Sequence, residues 1–263
     1  MRIMSWNINS VRLRAHLVVQ AAQQLGADII CLQETKTPDE FFPHEVFQQA
    51  GYAHHHIHGM KSYNGVAILS KYPFEEITIH HRVRREDCRH IAVKVADFEL
   101  HNIYIPAGGD IPDPDQNDKF SHKLEFVDEL SDFFGGYQGK DSKLIALGDF
   151  NIAPLEHDVW SHKQLLDVVS HTPIEVEKLA NMRASLDWLD SARVFVPPQE
   201  KLYSWWSYRN QDWRKSNRGR RLDHIWLTPP LTPRLKSYSS LVDARDWEKS
   251  SDHIPIAIEV DAE

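Results

Sequence analysis

Apolar positions fall into short runs separated by charged and turn-forming stretches. MRIMSWNI alternates as a strand does, and the spacing then turns helical, with Val11, Ala15, Val18, Ala22 and Leu25 on one face and Gly26 placed to cap the end. ADIICLQE and NGVAILSK are nearly continuous apolar runs, as expected of strands covered on both faces; Tyr72–Pro73 stops the second. HIAVKVAD and FELHNIYIP predict a strand pair. Asp118 to Phe134 predicts an amphipathic helix with Phe120, Leu124, Val127, Leu130 and Phe134 in line. KLIALGDFN is a further strand, followed by a long irregular stretch rich in tryptophan and charge, and LDHIWL and HIPIAIEV are the last strands. Helices and strands do not alternate strictly, and several strands, the last two included, read as neighbours with no helix between them. The pattern predicts an α/β fold of two packed mixed sheets covered by helices.

Composition adds limits. A chain of 263 residues, 41% hydrophobic, can bury a large core, and no linker, repeat or low-complexity run divides it, so a single domain over residues 1–263 is expected. Of the two cysteines, Cys31 lies inside an apolar run, and nothing suggests a disulfide framework or a cysteine zinc site. The N-terminus lacks the apolar core of a secretion signal, and no stretch approaches the ~18 apolar residues of a membrane span. A soluble, cytoplasmic protein without membrane contact is expected. The net charge of −8 argues mildly against a polyanionic partner, but Arg209 to Arg221, RNQDWRKSNRGRR, holds six basic residues and one acid, a local charge of +5. The run His54 to His58, HHHIH, has no carboxylate or cysteine beside it and reads as a solvated histidine run.

Candidate chemistry gathers at strand ends. Asn7 and Asn9 follow the first strand, Glu34 ends CLQE, Tyr104 ends NIY, Asp149 and Asn151 end LGDFN, Asp223 opens DHIWL, and Asp252–His253 precede IPIAIEV. A carboxylate at the edge of an apolar strand is costly unless paired, hydrogen-bonded or bound to a metal. Strand ends in layered sheet folds converge on one rim, where ligand sites form. Oxygen donors suit Mg²⁺ or Mn²⁺, a divalent ion can polarise a phosphoryl oxygen, a carboxylate can activate water, and a histidine–aspartate pair can stabilise developing charge. These are the parts of a metal-assisted phosphodiester hydrolase. Taken singly each has a plainer reading: turn residues for Asn7, Asn9 and Asp149, an exposed strand end for Glu34, an ion pair for Asp223, a cap for Asp252–His253 and a packed tyrosine for Tyr104.

In chain order WNINSVRLR, LQETK, NGVAILSK, YIPAGGD, GDFN, RRLDHIWL and SDHIP resemble the exonuclease III-type apurinic/apyrimidinic endonucleases of the endonuclease/exonuclease/phosphatase superfamily, over Arg2 to about Ile258. GDFN and SDH recur in the sphingomyelinases and inositol phosphatases of that superfamily; the first three motifs together are far more specific to the DNA-repair branch. The resemblance implies a four-layer sandwich of two mixed β-sheets flanked by helices, as in deoxyribonuclease I. It implies Mg²⁺, with Mn²⁺ as a substitute, held by Glu34 and Asn7 with contributions from Asp149, Asn151, Asp252 and His253. Asp149 would position or deprotonate water, Asn151 would hold phosphate or that water, His253 oriented by Asp223 would contact the scissile phosphate, and Tyr104 would donate to it. Asn9, Arg12, Arg209, Arg218 and Arg220 would contact DNA, and Trp205 and Leu222 would line a pocket for a flipped-out abasic sugar. The substrate implied is duplex DNA with abasic sites or blocked 3′ ends, cut by a monomer, nucleoid-associated if bacterial. A lipid or small-ester phosphodiesterase and a non-catalytic DNA-binding scaffold are the alternatives. The +5 aromatic segment argues against the first and retention of all these residues against the second. RVRREDCR, Arg82 to Arg89, is a second candidate DNA contact that also suits an ordinary charged surface. Two departures stand out: Ser10, where that family often has glycine, and the acidic loop Asp110 to Asp118 after YIPAGG.

Overall fold

The computed structural model describes residues 1–137, 141–210 and 212–262. The chain begins β1 (Arg2–Asn7), α1 (Val11–Leu25), β2 (Ile29–Gln33), α2 (His44–Gln49), β3 (His54–Met60), β4 (Tyr63–Ser70) and β5 (Glu76–Ile79). It continues through β6 (His90–Val95), β7 (Phe98–Tyr104), α3 (Asp118–Gly135), β8 (Leu144–Asp149), α4 (His162–Leu165), α5 (Pro173–Ala184) and β9 (Leu189–Asp190). It ends with α6 (Ser191–Phe195), α7 (Trp213–Ser216), β10 (Asp223–Leu227), β11 (Leu235–Ser240) and β12 (Ile256–Val260). The strands form two mixed six-stranded sheets, β11-β12-β1-β2-β4-β3 and β5-β6-β7-β8-β10-β9.

Burial explains the layers. Residues alternate across a strand, so each sheet has an inner and an outer apolar face. Ile3, Ile29, Ile68, Leu100, Leu147 and Ile258 meet between the sheets. The outer face of the first sheet packs Met4, Trp6, Ile30 and Leu69 against Val11, Val18 and Ala22 of α1 and Phe47 of α2. The second packs Ile103, Ala146 and Trp226 against Val127 and Leu130 of α3 and Leu179 of α5. Each fully buried aliphatic or aromatic side chain contributes about 1.5–3 kcal/mol, so the doubly covered central strands anchor the fold. α1 spans the stretch its periodicity predicts, and Gly26 ends it with φ 65° and its N–H on the carbonyls of Ala22 and Gln23.

Three expectations need correction. The last two strands of the sequence reading, β10 and β12, lie in opposite sheets, because the polar strand β11 intervenes and carries the chain across the sandwich. The histidine run is only partly solvated: its period fits a strand, and it forms the half-buried edge strand β3, with buried His56 bonded through Nε2 to the carbonyl of Thr78 and His55 paired to His44. The stretch after GDFN contains a real helix, α5, opened by a capping box in which the Thr172 side chain and Glu175 satisfy each other's backbone N–H groups, with proline in the first turn. That Thr-Pro-Ile-Glu signal was legible, but the weak amphipathicity of the following residues concealed the helix.

Candidate active site

Strand register brings the polar residues together. Asp149 at the end of β8 lies directly beside Tyr104 of β7 and Asp223 of β10. In the other sheet Asn7 lies beside Gln33, so Glu34 leaves β2 at the same rim. Gly148 allows this approach: its φ is 135°, and a Cβ there would stand 1.9 Å from the carbonyl oxygen of Ile103. Asn9, Ser10, Glu34, Lys36 and Asn151 all have positive φ, between 47° and 89°. Each such non-glycine residue costs of order 1 kcal/mol or more, strain that the surrounding bonds hold in place. Ser10, at 89°, takes a conformation that glycine reaches freely, which explains why glycine suits that position.

The Asn7 amide ties the two sheets, donating Nδ2–H to Glu34 Oε1 at 2.9 Å and to Asp149 Oδ2 at 2.8 Å. Tyr104 donates its hydroxyl to the same Glu34 oxygen at 2.9 Å, and Lys36 Nζ lies 2.7 Å from the other. Asn151 donates its backbone N–H to Asp149 Oδ1 at 2.9 Å and its amide to Oδ2 at 3.1 Å, so it braces the carboxylate. His253 Nδ1 donates to Asp223 Oδ2 at 2.8 Å while Nε2 stands 3.7 Å from Asp149 Oδ2. Asn7, Asp149, Asp223 and His253 are buried.

Charge is unevenly shared. Burial is the largest influence on Asp149 and pushes its pKa up to about 7; Asp223 and Glu34 add to this, while His253 and Asn7 oppose it. Burial also works against the His253 cation, but Asp223, Asp149 and Asp252 outweigh it and raise the pKa to about 10. For Glu34, burial is overcome by Lys36 and Asn7, and the pKa lies below the usual range. His253 is therefore expected to remain an imidazolium through neutrality in the metal-free protein. Its stabilising effect is fully present below the ordinary value of 6.5 and is lost as the pH rises through about 10. Ring ¹⁵N shifts should show a protonated His253 at pH 8, and Asp223→Asn should move the titration down. A neutral ring at pH 8 in the unmodified protein would contradict the assignment.

The site fits a hard divalent cation. Ligand atoms of Asp149, Asp223 and His253 lie within 4.8 Å of one another, and the side chains of Glu34, Asn7 and Asn151 are hydrogen-bonded at the same rim. Buried Asp223 Oδ1 has no hydrogen-bond partner, and the Lys36 ammonium on Glu34 stands in for a cation.

The remaining predicted residues form a rim. Asp252 accepts from Asn9 Nδ2 at 3.2 Å and from Trp205 Nε1 at 2.9 Å, which fixes its carboxylate between the loop after β1 and the cavity wall. Trp205, Arg209, Arg218 and Arg220 line a cavity of about 1010 Å³. Leu222 instead packs beneath it, 5% exposed, with Ala153, Val159 and Leu165. Arg12 is exposed on α1, whereas its neighbour Arg14 is buried and donates to the carbonyls of Asn9 and Lys249. The +5 segment divides: Arg221 is buried between Asp158 and Asp190, and Arg214 pairs with Asp243 and Asp246. Within Arg82 to Arg89, Arg89 is buried over the Tyr104 ring, and Arg82 lies over Phe133.

Sequence reasoning missed three residues. Lys36, quoted within LQETK, also donates to Asn9 Oδ1 at 2.7 Å and links the acidic cluster to the rim. Trp160 is a second aromatic in the cavity wall. Lys123 of α3 is fully buried, 2.5 Å from Glu175, and donates to the Asn151 carbonyl at 2.8 Å, which holds the loop after β8. Only Lys36 carried a signal, its place beside Glu34; the spacing of the other two from the site hides them.

The comparisons with known proteins agree with this geometry. A model of the endonuclease/exonuclease/phosphatase family matches residues 4–253. Exodeoxyribonuclease III of Haemophilus influenzae is 31% identical, covering 97% of this chain and 98% of its own length. Among solved structures, an AP endonuclease from Archaeoglobus fulgidus superposes with a TM-score of 0.92 at 30% identity, covering 100% of both chains. The 3′ phosphatase NExo from Neisseria, bound to a product DNA hairpin, gives 0.91 at 30% identity over 99% of each chain.

Proposed function

The chain belongs to the endonuclease/exonuclease/phosphatase family, in its exonuclease III-type branch, and from that premise we propose that it is a divalent-metal-dependent DNA-repair nuclease. It cuts the phosphodiester 5′ to abasic sites in duplex DNA, removes blocking groups from 3′ ends and trims 3′ nucleotides. The observation that carries this reading is the meeting of Asn7, Glu34, Asp149, Asp223 and His253 at one rim beside an arginine- and tryptophan-lined cavity.

The roles follow from the contacts. Asp149, poised near neutrality and held by Asn7 and Asn151, accepts a proton from the attacking water. The His253 cation, fixed by Asp223, donates toward a phosphoryl oxygen as its charge grows. Tyr104 and Asn7 hold the Glu34 carboxylate in place. Glu34, with Asn7 and Asp149 nearby, would hold Mg²⁺ or Mn²⁺, which when bound neutralises phosphoryl charge. The leaving group departs as a 3′-hydroxyl.

An end-labelled duplex with one abasic site, incubated with and without EDTA, tests the reading. One cut 5′ to the lesion, abolished by EDTA and followed by slower 3′ trimming, is expected. An intact abasic duplex under both Mg²⁺ and Mn²⁺ would overturn it. Glu34→Gln should weaken Mn²⁺ binding, measured calorimetrically, by at least roughly tenfold. Unchanged affinity would move the metal elsewhere.

A further inference from the structure

The cavity beside the acidic cluster is lined by three arginines against a single carboxylate, Asp110. Among the described residues Arg209, Arg218 and Arg220 form no ion pair, whereas Arg214 and Arg221 of the same segment are each bonded to aspartates. Arg220 is the best placed. Its Nη1 donates to the carbonyl of Val169 at 2.9 Å and to Ser170 Oγ at 2.7 Å, and its guanidinium lies 5.3 Å from the Trp205 ring centroid. Its Nε is buried without a partner, and burial lowers the pKa of the group. The nearby Glu175 is already engaged by Lys123 at 2.5 Å. Arg218 is steadied by Trp160, 4.7 Å away. Asp110 also lines the cavity, but it is exposed and forms no ion pair with these arginines.

Position links this charge to the reaction. Trp205 bridges backbone to backbone with Arg220 on one side and His253 on the other. Directly paired residues project to one face, and neighbouring strands are about 4.8 Å apart, so the backbones of Arg220 and His253 lie roughly 10 Å apart with both side chains on that face. The arginine side chain and a short arm on a phosphorus held at His253 together span a gap of that size. A held, partly buried guanidinium without an ion-pair partner is costly, and an anion relieves the cost where an uncharged sugar does not.

We infer that Arg220, supported by Arg218, is a charge-selecting residue that favours substrates whose group beyond the scissile phosphorus carries an anion. The preferred class is a DNA 3′ end blocked by a phosphate ester with a carboxylate arm, over one with a neutral arm. This rests on the nuclease reading above. In the reaction water oxygen bonds to phosphorus, the bond from phosphorus to the DNA O3′ breaks, and a water proton ends on O3′. The products are a 3′-hydroxyl and the phosphorylated arm, with no redox step.

The test compares two duplexes that differ only at the 3′ terminus, one ending in 3′-phosphoglycolate and the other in its uncharged 2-hydroxyethyl phosphate counterpart. The unmodified enzyme should show at least a tenfold higher kcat/KM on the carboxylate ester. Arg220→Gln should lower that ratio at least tenfold, and Arg220→Lys should restore part of it. Misfolding lowers both rates together and cancels in the ratio. A ratio near one in the unmodified enzyme, or one unaltered by Arg220→Gln, would show that Arg220 contacts only the common DNA backbone and would overturn the inference. Cleavage of neither ester, nor of an abasic duplex, would overturn the nuclease reading itself.

Discussion

Asp149→Asn is expected to lower kcat by at least about 10³-fold while sparing affinity for duplex DNA measured in EDTA. The carboxylate sits where three donors converge, Asn7 Nδ2 at 2.8 Å, Asn151 N–H at 2.9 Å and Asn151 Nδ2 at 3.1 Å, with His253 Nε2 at 3.7 Å. An amide of the same shape preserves the packing but cannot take a proton from water. It also removes one of the carboxylates that raise the His253 pKa, so the imidazolium should deprotonate at lower pH. The amide NH₂ must face one of the existing donors, a mismatch worth about 1–3 kcal/mol, so a melting curve should accompany the kinetics. Single-turnover rates and anisotropy binding separate the two effects. A residual rate within tenfold of the unmodified enzyme would remove Asp149 from the proton transfer.

The second large effect is on stability. Lys123→Met should destabilise the fold by about 3 kcal/mol, the lower end of the range for breaking a buried pair. Both charged groups are fully buried, but Glu175 would keep the backbone N–H groups of Ser170 and Thr172 and the Thr172 hydroxyl as donors, which limits the loss. The Asn151 and Ala107 carbonyls would lose the ammonium that joins them, so turnover should fall as well. Adding Glu175→Gln removes the stranded charge, and the double variant should recover much of the stability by denaturant unfolding. A Lys123→Met protein as stable as its parent would show that the pair contributes nothing net.

The acidic cluster illustrates what reading the chain can reach. Asn7, Glu34, Asp149, Asp223 and His253 were legible because each is a polar residue at the edge of an apolar run, and the structure brings all five to one rim. Leu222 and Arg221 show the opposite case. Both lie in the segment read as the DNA-facing surface, yet Leu222 is packed underneath and Arg221 is 1% exposed between two aspartates. A side chain's neighbours across the fold, rather than along the chain, settled both.

By itself the sequence determined the helix at Val11–Leu25, the buried central strands, the helix-flanked mixed sheets and the identity of the acidic cluster. Those features are written in local periodicity and in polar groups that hydrophobic runs cannot hide. Tertiary structure alone decided that β10 and β12 lie in opposite sheets, that Lys123 supports Asn151, and that among the described residues Arg209, Arg218 and Arg220 form no ion pair. Arg221 and Asp158 are 63 positions apart, and their pairing depends on strand register and loop paths that no short window of residues encodes.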